Sequence, residues 1–136
     1  MPEMTAAWVR QSAHDLEHAH AALAAGHHDW ACLAAAEAAG KAIKAVLVAH
    51  DGRVLGQQNL LLLLGRVRDE AGMVVSEDLM EDGHILMSAL AVLSGQCSYE
   101  GVAPFELVTR TQAEGAVAAA ERIRACMAAA PAAPAS

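Results

Sequence analysis

The sequence predicts an all-α protein, an up-and-down bundle of four main helices plus a short one. Three observations carry this expectation. About a quarter of the 136 residues are alanine, the best helix former, and long β-branched runs are scarce. Hydrophobic residues make up 55% of the chain but aromatics only 3%, so the core has to be assembled from Leu, Val, Ile, Met and Ala, whose small side chains let helices approach closely. Apolar residues also recur at helical spacing between capping and breaking signals. The length suits one domain with a single core.

The first helix is expected from about Thr5 to Ala25, with Trp8, Leu16, Ala19 and Leu23 near one face and Gly26 as its stop. Asp29 then caps a second helix through about Ala49. Its apolar face holds Trp30, Leu33, Ala36, Ile43 and Leu47, with Gly40 allowing close packing, and Asp51-Gly52-Arg53 turns the chain. Asn59 caps a shorter third helix, Leu60 to about Arg68, whose five consecutive leucines leave no solvent face; it should be largely buried or lie at an interface.

Ser76 begins the fourth helix, with Leu79, Leu86, Leu90 and Leu93 as core residues and an end near Gly95. Residues 95–108 are the least regular internal segment and hold the only Tyr and Phe. Thr111-Gln112-Ala113-Glu114 reads as a capping box opening the last helix, which buries Val117, Ile123 and Met127. Residues 1–4 read as an N-terminal tail, 5–128 as the helical domain and 129–136 as a disordered Ala/Pro tail. Neither a repeat nor a second domain is visible.

The formal charge of −7 argues against indiscriminate nucleic-acid binding, which needs a basic surplus. A local basic strip across Lys41, Lys44 and Arg53 remains open. The odd, widely spaced cysteines Cys32, Cys97 and Cys126 suggest neither a disulfide framework nor a thiolate zinc site, and each reads as a small core residue. The N-terminus carries an early acid and no apolar signal core, and no apolar run is long enough to span a bilayer. A reduced, soluble, cytoplasmic protein with no membrane partner is the expectation.

Several residues invite a chemical reading. His14-Asp15-Leu16-Glu17-His18 puts two imidazoles one helical turn apart in an H-x-x-E-H spelling, so His14 and His18 could ligate zinc with Glu17 beside them. No spacing singles out a third ligand among His28, Cys32 and Glu37, and a polar helix face that happens to contain histidine is the simpler account. His20, His27 and His28 sit where a helix ends, favoured there by its dipole. No GxGxxG and no Walker loop is present, and no cofactor is expected. Lys41 and Lys44 could hold a phosphate between them or simply snorkel beside an apolar face. The leucine run at 60–64 points to a homodimer, since a small bundle with surplus apolar faces buries one against a partner.

Trp8, Ser12, Asp15, Leu16 and Ala19 stand in the arrangement W-x-x-x-A-x-x-D-L-x-x-A, with Ser12 at the small-residue position. Gly26 and Trp30 follow, then Ala38-Ala39-Gly40-Lys41-Ala42-Ile43-Lys44-Ala45-Val46-Leu47, which is similar to A-A-E-K-A-L-K-A-L-L. With the last helix (Ala113, Ala116, Ile123), this order over roughly residues 5–128 resembles the HEPN family of small helical proteins. The resemblance implies a HEPN-type bundle that pairs with a nucleotidyltransferase-like protein, as in some toxin–antitoxin systems, or binds a nucleotide or RNA. Lys41, Lys44 and Tyr99 then become the candidate ligand contacts, combining cationic donors with an aromatic plane.

This chain departs from the family pattern at informative places. Gly40 replaces the usual acid, Gln58-Asn59 replace His-Asp, and Cys97-Ser98-Tyr99-Glu100-Gly101 with a later Pro104 stands where R-Y-P-D often occurs. Ribonuclease members carry a late Arg followed four to six residues on by His. Here no His follows His84, so Arg110, Arg122 and Arg124 have none downstream, and Arg10 and His14 lie in the wrong helix. A non-catalytic module is therefore the expectation. An atypical ribonuclease, a purely structural dimerisation protein and a zinc hydrolase using His14, Glu17 and His18 are the alternatives.

Overall fold

A computed structural model of the chain describes residues 2–51, 56, 59–93 and 101–130. Six helices are described and no strand occurs among these residues: α1 (Pro2–Ala24), α2 (His28–Asp51), α3 (Leu60–Glu70), α4 (Glu77–Leu93), α5 (Pro104–Leu107) and α6 (Arg110–Ala128). The expected all-α bundle is thus the fold, with α5 as an additional single turn. α2 lies at its centre and packs against every other helix. The expected helix end near Gly95 and the tail from residue 131 onward lie outside the described residues.

The α1–α2 hairpin is closed by a glycine whose backbone conformation matters. Gly26 has φ +80°, and the amides of Gly26 and His27 donate to the carbonyls of Leu23 (3.1 Å) and Ala22 (2.8 Å). That pattern ends a helix by a left-handed residue that glycine adopts without a Cβ penalty. α1 begins earlier than expected: Pro2 sits in the first turn, where its missing amide costs nothing, so residues 2–4 are helical rather than a tail.

Two caps form at the expected residues. The Asn59 carboxamide oxygen accepts from the amides of Leu61 (2.9 Å) and Leu62 (3.3 Å), and Ser76 Oγ accepts from the Leu79 amide (3.1 Å). The capping box of α6 lies two residues earlier than expected. Thr109 Oγ1 accepts from the Gln112 amide (3.1 Å), while Gln112 Oε1 accepts from the Thr109 amide (2.9 Å). Both T-x-x-Q and T-x-x-E spell a box; the earlier one places Val108 and Ala113, both buried, before and after it in the manner of a hydrophobic staple. α2 likewise opens one residue ahead of the expected Asp29 cap, with the Ala31 amide donating to the His27 carbonyl and Asp29 in the acidic first turn.

The core is a seam of alanines closed by a few large side chains. Ile43 and Leu47 of α2, Leu63 and Leu64 of α3, Leu86 of α4 and Ile123 of α6 are its largest fully buried members, each contributing roughly 1.5–3 kcal/mol by burial. Val117 and Met127 are buried as expected, whereas Leu90 and Leu93 only flank the core. In the leucine run, Leu60, Leu63 and Leu64 are buried but Leu62 is 56% exposed. Trp30 is exposed, contrary to its expected place on the apolar face: it lies seven residues before exposed Glu37, on the solvent side of α2. Cys126 is exposed as well, so only Cys32 of the described cysteines is a core residue; Cys97 lies outside the described residues. No helix among the described residues is long and apolar enough to cross a membrane.

Candidate functional site

Helical spacing places Trp8, Ser12 and Asp15 of α1 against α2, where Lys41 meets Asp15 and Lys44 meets Trp8. Lys41 donates to Asp15 at 2.5 Å and approaches Glu37, one turn earlier on its own helix, at 3.4 Å. Burial lowers the pKa of its ammonium, but the hydrogen bond and charge of Asp15, aided by Glu37, outweigh that and hold it above the ordinary lysine value. Lys44 is buried, and its Nζ lies 5.6 Å from the centroid of the Trp8 ring, a cation–π contact worth about 1–2 kcal/mol in a desolvated setting.

The structure therefore brings the two lysines to one crevice, lined by Glu37, Gly40, Leu60, Leu63 and Leu90 as well, with a volume of about 60 Å³. Both ammonium groups already have partners there. Tyr99, the third candidate contact, and Arg53 lie outside the described residues. His14, Glu17 and His18 are all exposed on α1. No group of three or more His, Cys, Asp or Glu side chains is placed to share a metal ion among the described residues. His20 instead pairs with Glu121 of α6 at 2.8 Å on the surface, a contact of small energetic weight.

The arginines of α6 are all engaged. Arg110 bonds Glu114 one turn on at 2.7 Å, and Arg122 grips Asp82 of α4. Arg124 reaches across to α1, its Nε donating to Ser12 Oγ at 2.9 Å. That hydroxyl, only 1% exposed, donates in turn to the Ala38 carbonyl of α2 at 2.6 Å. Ser12 thus joins three helices with both its donor and its acceptor used.

In the sequence Ser12 stands out only as a small residue, yet its position carries a signal of this role. It occupies the apolar stripe of α1, where a buried hydroxyl has to find partners. A cavity of about 360 Å³ opens beside it where α1, α2 and α6 meet, and Arg124 and His50 also line it. The Nε2 atom of His50 is buried without a hydrogen-bond partner among the described residues.

The chain matches the HEPN domain over residues 5–129. Three solved structures share its architecture. A protein of Thermus thermophilus is 30% identical with a TM-score of 0.81, the match covering 91% of this chain and 95% of that one. An archaeal HEPN homologue is 23% identical with a TM-score of 0.72 over 91% and 94% of the two chains, a likeness of fold alone. A HEPN domain protein from Thermotoga maritima is 27% identical with a TM-score of 0.68 over 89% and 93%. No curated protein matches the chain.

Proposed function

The chain belongs to the HEPN family, and from that premise we propose that it is a non-catalytic, homodimeric HEPN module that works by binding. Its partner in this reading is a nucleotidyltransferase-like protein, in a toxin–antitoxin type of context. One observation carries the non-catalytic part: the three arginines of α6 are all held by Glu114, Asp82 or Ser12, and no histidine follows His84 to complete an Arg–His pair. Arg122 and Arg124 act as fasteners between helices, and Arg110 braces the first turns of its own.

A protein partner is favoured over a free nucleotide by the state of the lysines. A phosphate approaching Lys41 would have to displace Asp15, and the crevice of about 60 Å³ is far below the 300–1,000 Å³ typical of small-molecule sites. Exposed Leu62 on α3 and Val74 beyond it supply apolar surface for a second copy or another chain. A second reading keeps Lys41, Lys44 and Tyr99 as contacts for a nucleotide or RNA phosphate, supported by the convergence of both lysines on one crevice.

Light scattering of the full chain at micromolar concentration, alone and mixed with a nucleotidyltransferase-like protein from the same genome, tests the first reading. A dimer that forms a stable mixed complex is the expected result; a monomer that ignores the partner overturns it. Titration with ATP and short RNA, repeated on Lys41→Ala/Lys44→Ala, tests the second. RNA cleavage abolished by Arg10→Ala would instead establish an atypical nuclease.

A further inference from the structure

We propose that the half-open cavity between α1, α2 and α6 is a binding site for a small amphipathic carboxylate, with Arg124 as its anion-binding group. The cavity, about 360 Å³, falls in the range of small-molecule sites. Its walls combine apolar Val9, Val46 and Met127 with the short side chains of α2 alanines, so the space exists because alanine fills so little of it.

The polar residues of the lining are Thr5, Ser12, His50 and Arg124, of which Arg124 carries a fixed positive charge. Arg124 lines the cavity while its Nε is fixed by Ser12, itself tied to the Ala38 carbonyl. The Nη groups make no hydrogen bond to any described residue. A guanidinium held in place with its terminal amino groups uncommitted is suited to a planar carboxylate, which it can receive through a fork of parallel donors. Buried His50 Nε2, also without a hydrogen-bond partner among the described residues, offers the same ligand a second polar contact.

Among the described residues no Asp or Glu lines the cavity, so an anion is favoured there even though the whole chain carries −7. A single arginine balances a single negative charge. A nucleotide triphosphate would bring several charges into walls made mainly of alkyl groups, at a large desolvation cost. The fit is to a monoanion with a compact alkyl body, a class distinct from the nucleotide and RNA ligands considered at Lys41 and Lys44.

Titration of the full-length chain with octanoate, followed by calorimetry and amide NMR, tests the assignment. Saturable one-to-one binding is expected, with octanamide about ten- to a hundredfold weaker because it lacks the charge that Arg124 pairs with. Arg124→Gln should lose that preference, and Ala49→Phe, which fills the cavity from α2, should abolish binding while helicity is retained. Failure of octanoate to bind at millimolar concentration overturns the proposal. So does octanamide binding as tightly as octanoate to the parent protein, or unchanged octanoate affinity in a folded Ala49→Phe variant; neither of these arms depends on how well Arg124→Gln folds.

Discussion

Arg122 holds Asp82 across the seam between α6 and α4, with Nη2 2.8 Å from one carboxylate oxygen and Nε 3.1 Å from both. The pair is lopsided: the Asp82 side chain is 7% exposed and that of Arg122 is 56% exposed. Arg122→Ala should therefore cost about 1–3 kcal/mol, because it strands a buried carboxylate. Asp82→Ala should cost less, since the guanidinium left behind can turn to solvent. Urea unfolding of both variants checks the order, and equal costs would contradict this account of the asymmetry.

Ser12→Ala removes both bonds of the three-helix junction. A loss of about 1–2 kcal/mol is expected, as the Ala38 carbonyl keeps its place in α2 but Arg124 loses its anchor. A double-mutant cycle with Arg124→Ala should give a coupling energy clearly above zero. Strict additivity would mean that the 2.9 Å contact carries no weight.

The two described cysteines should react very differently. Burial, followed by the nearby charge of Asp29, pushes the Cys32 thiol up to about 11, whereas Cys126 is exposed. In a Cys97→Ser background a thiol reagent at pH 8 should modify Cys126 readily and Cys32 only after unfolding. Cys32 also makes stability pH-dependent. Its unfolded thiol ionises from 9.0 while the folded thiol keeps its proton to about 11, so this contribution is complete below pH 9 and is lost as the pH rises through 11. Lys41 acts in the same sense, its contribution fading only above its ordinary 10.5. Cys32→Ser should flatten the alkaline decline measured by denaturant titration.

Two helix-interior glycines should respond to alanine with opposite signs. A Cβ on Gly40 would meet Leu60 Cδ2 at 3.4 Å, an ordinary contact, so Gly40→Ala should stabilise by up to about 1 kcal/mol through helix propensity. A Cβ on Gly83 would stand 3.0 Å from Leu61 Cδ2 and 3.1 Å from Leu64 Cδ1, and Leu64 is fully buried. Gly83→Ala should therefore lower stability, repacking outweighing propensity by about 1 kcal/mol. Thermal melts of the two variants give the comparison directly.

Local signals made most of the helices legible. Gly26, Asn59 and Ser76 mark boundaries through bonds within a few residues, and Ile43, Leu47, Val117, Ile123 and Met127 follow from periodicity alone. Trp30 and Cys126 differ from expectation because helical phase, not hydrophobic character, decides which side of a helix faces solvent, and the start of α6 differs because two capping boxes overlap in its sequence. The site was far less legible. Lys41 and Lys44 stand out one turn apart in the sequence, but Asp15 lies 26 residues from Lys41, and Ser12 lies 112 residues from Arg124. Spacing along a chain cannot specify which polar groups meet across three helices; only the register in which the alanine faces pack does so.

The alanine seam along α2 inverts the usual pattern of mutational vulnerability. A core of large side chains fails when a residue is trimmed and a void is left. Ala31, Ala35, Ala38 and Ala39 are wholly buried with almost nothing to trim, so the damaging change at these positions is enlargement, even to valine. Saturation mutagenesis of α2 should then trace a map of forbidden size, most severe at these alanines and relaxing only where the walls open onto the cavity.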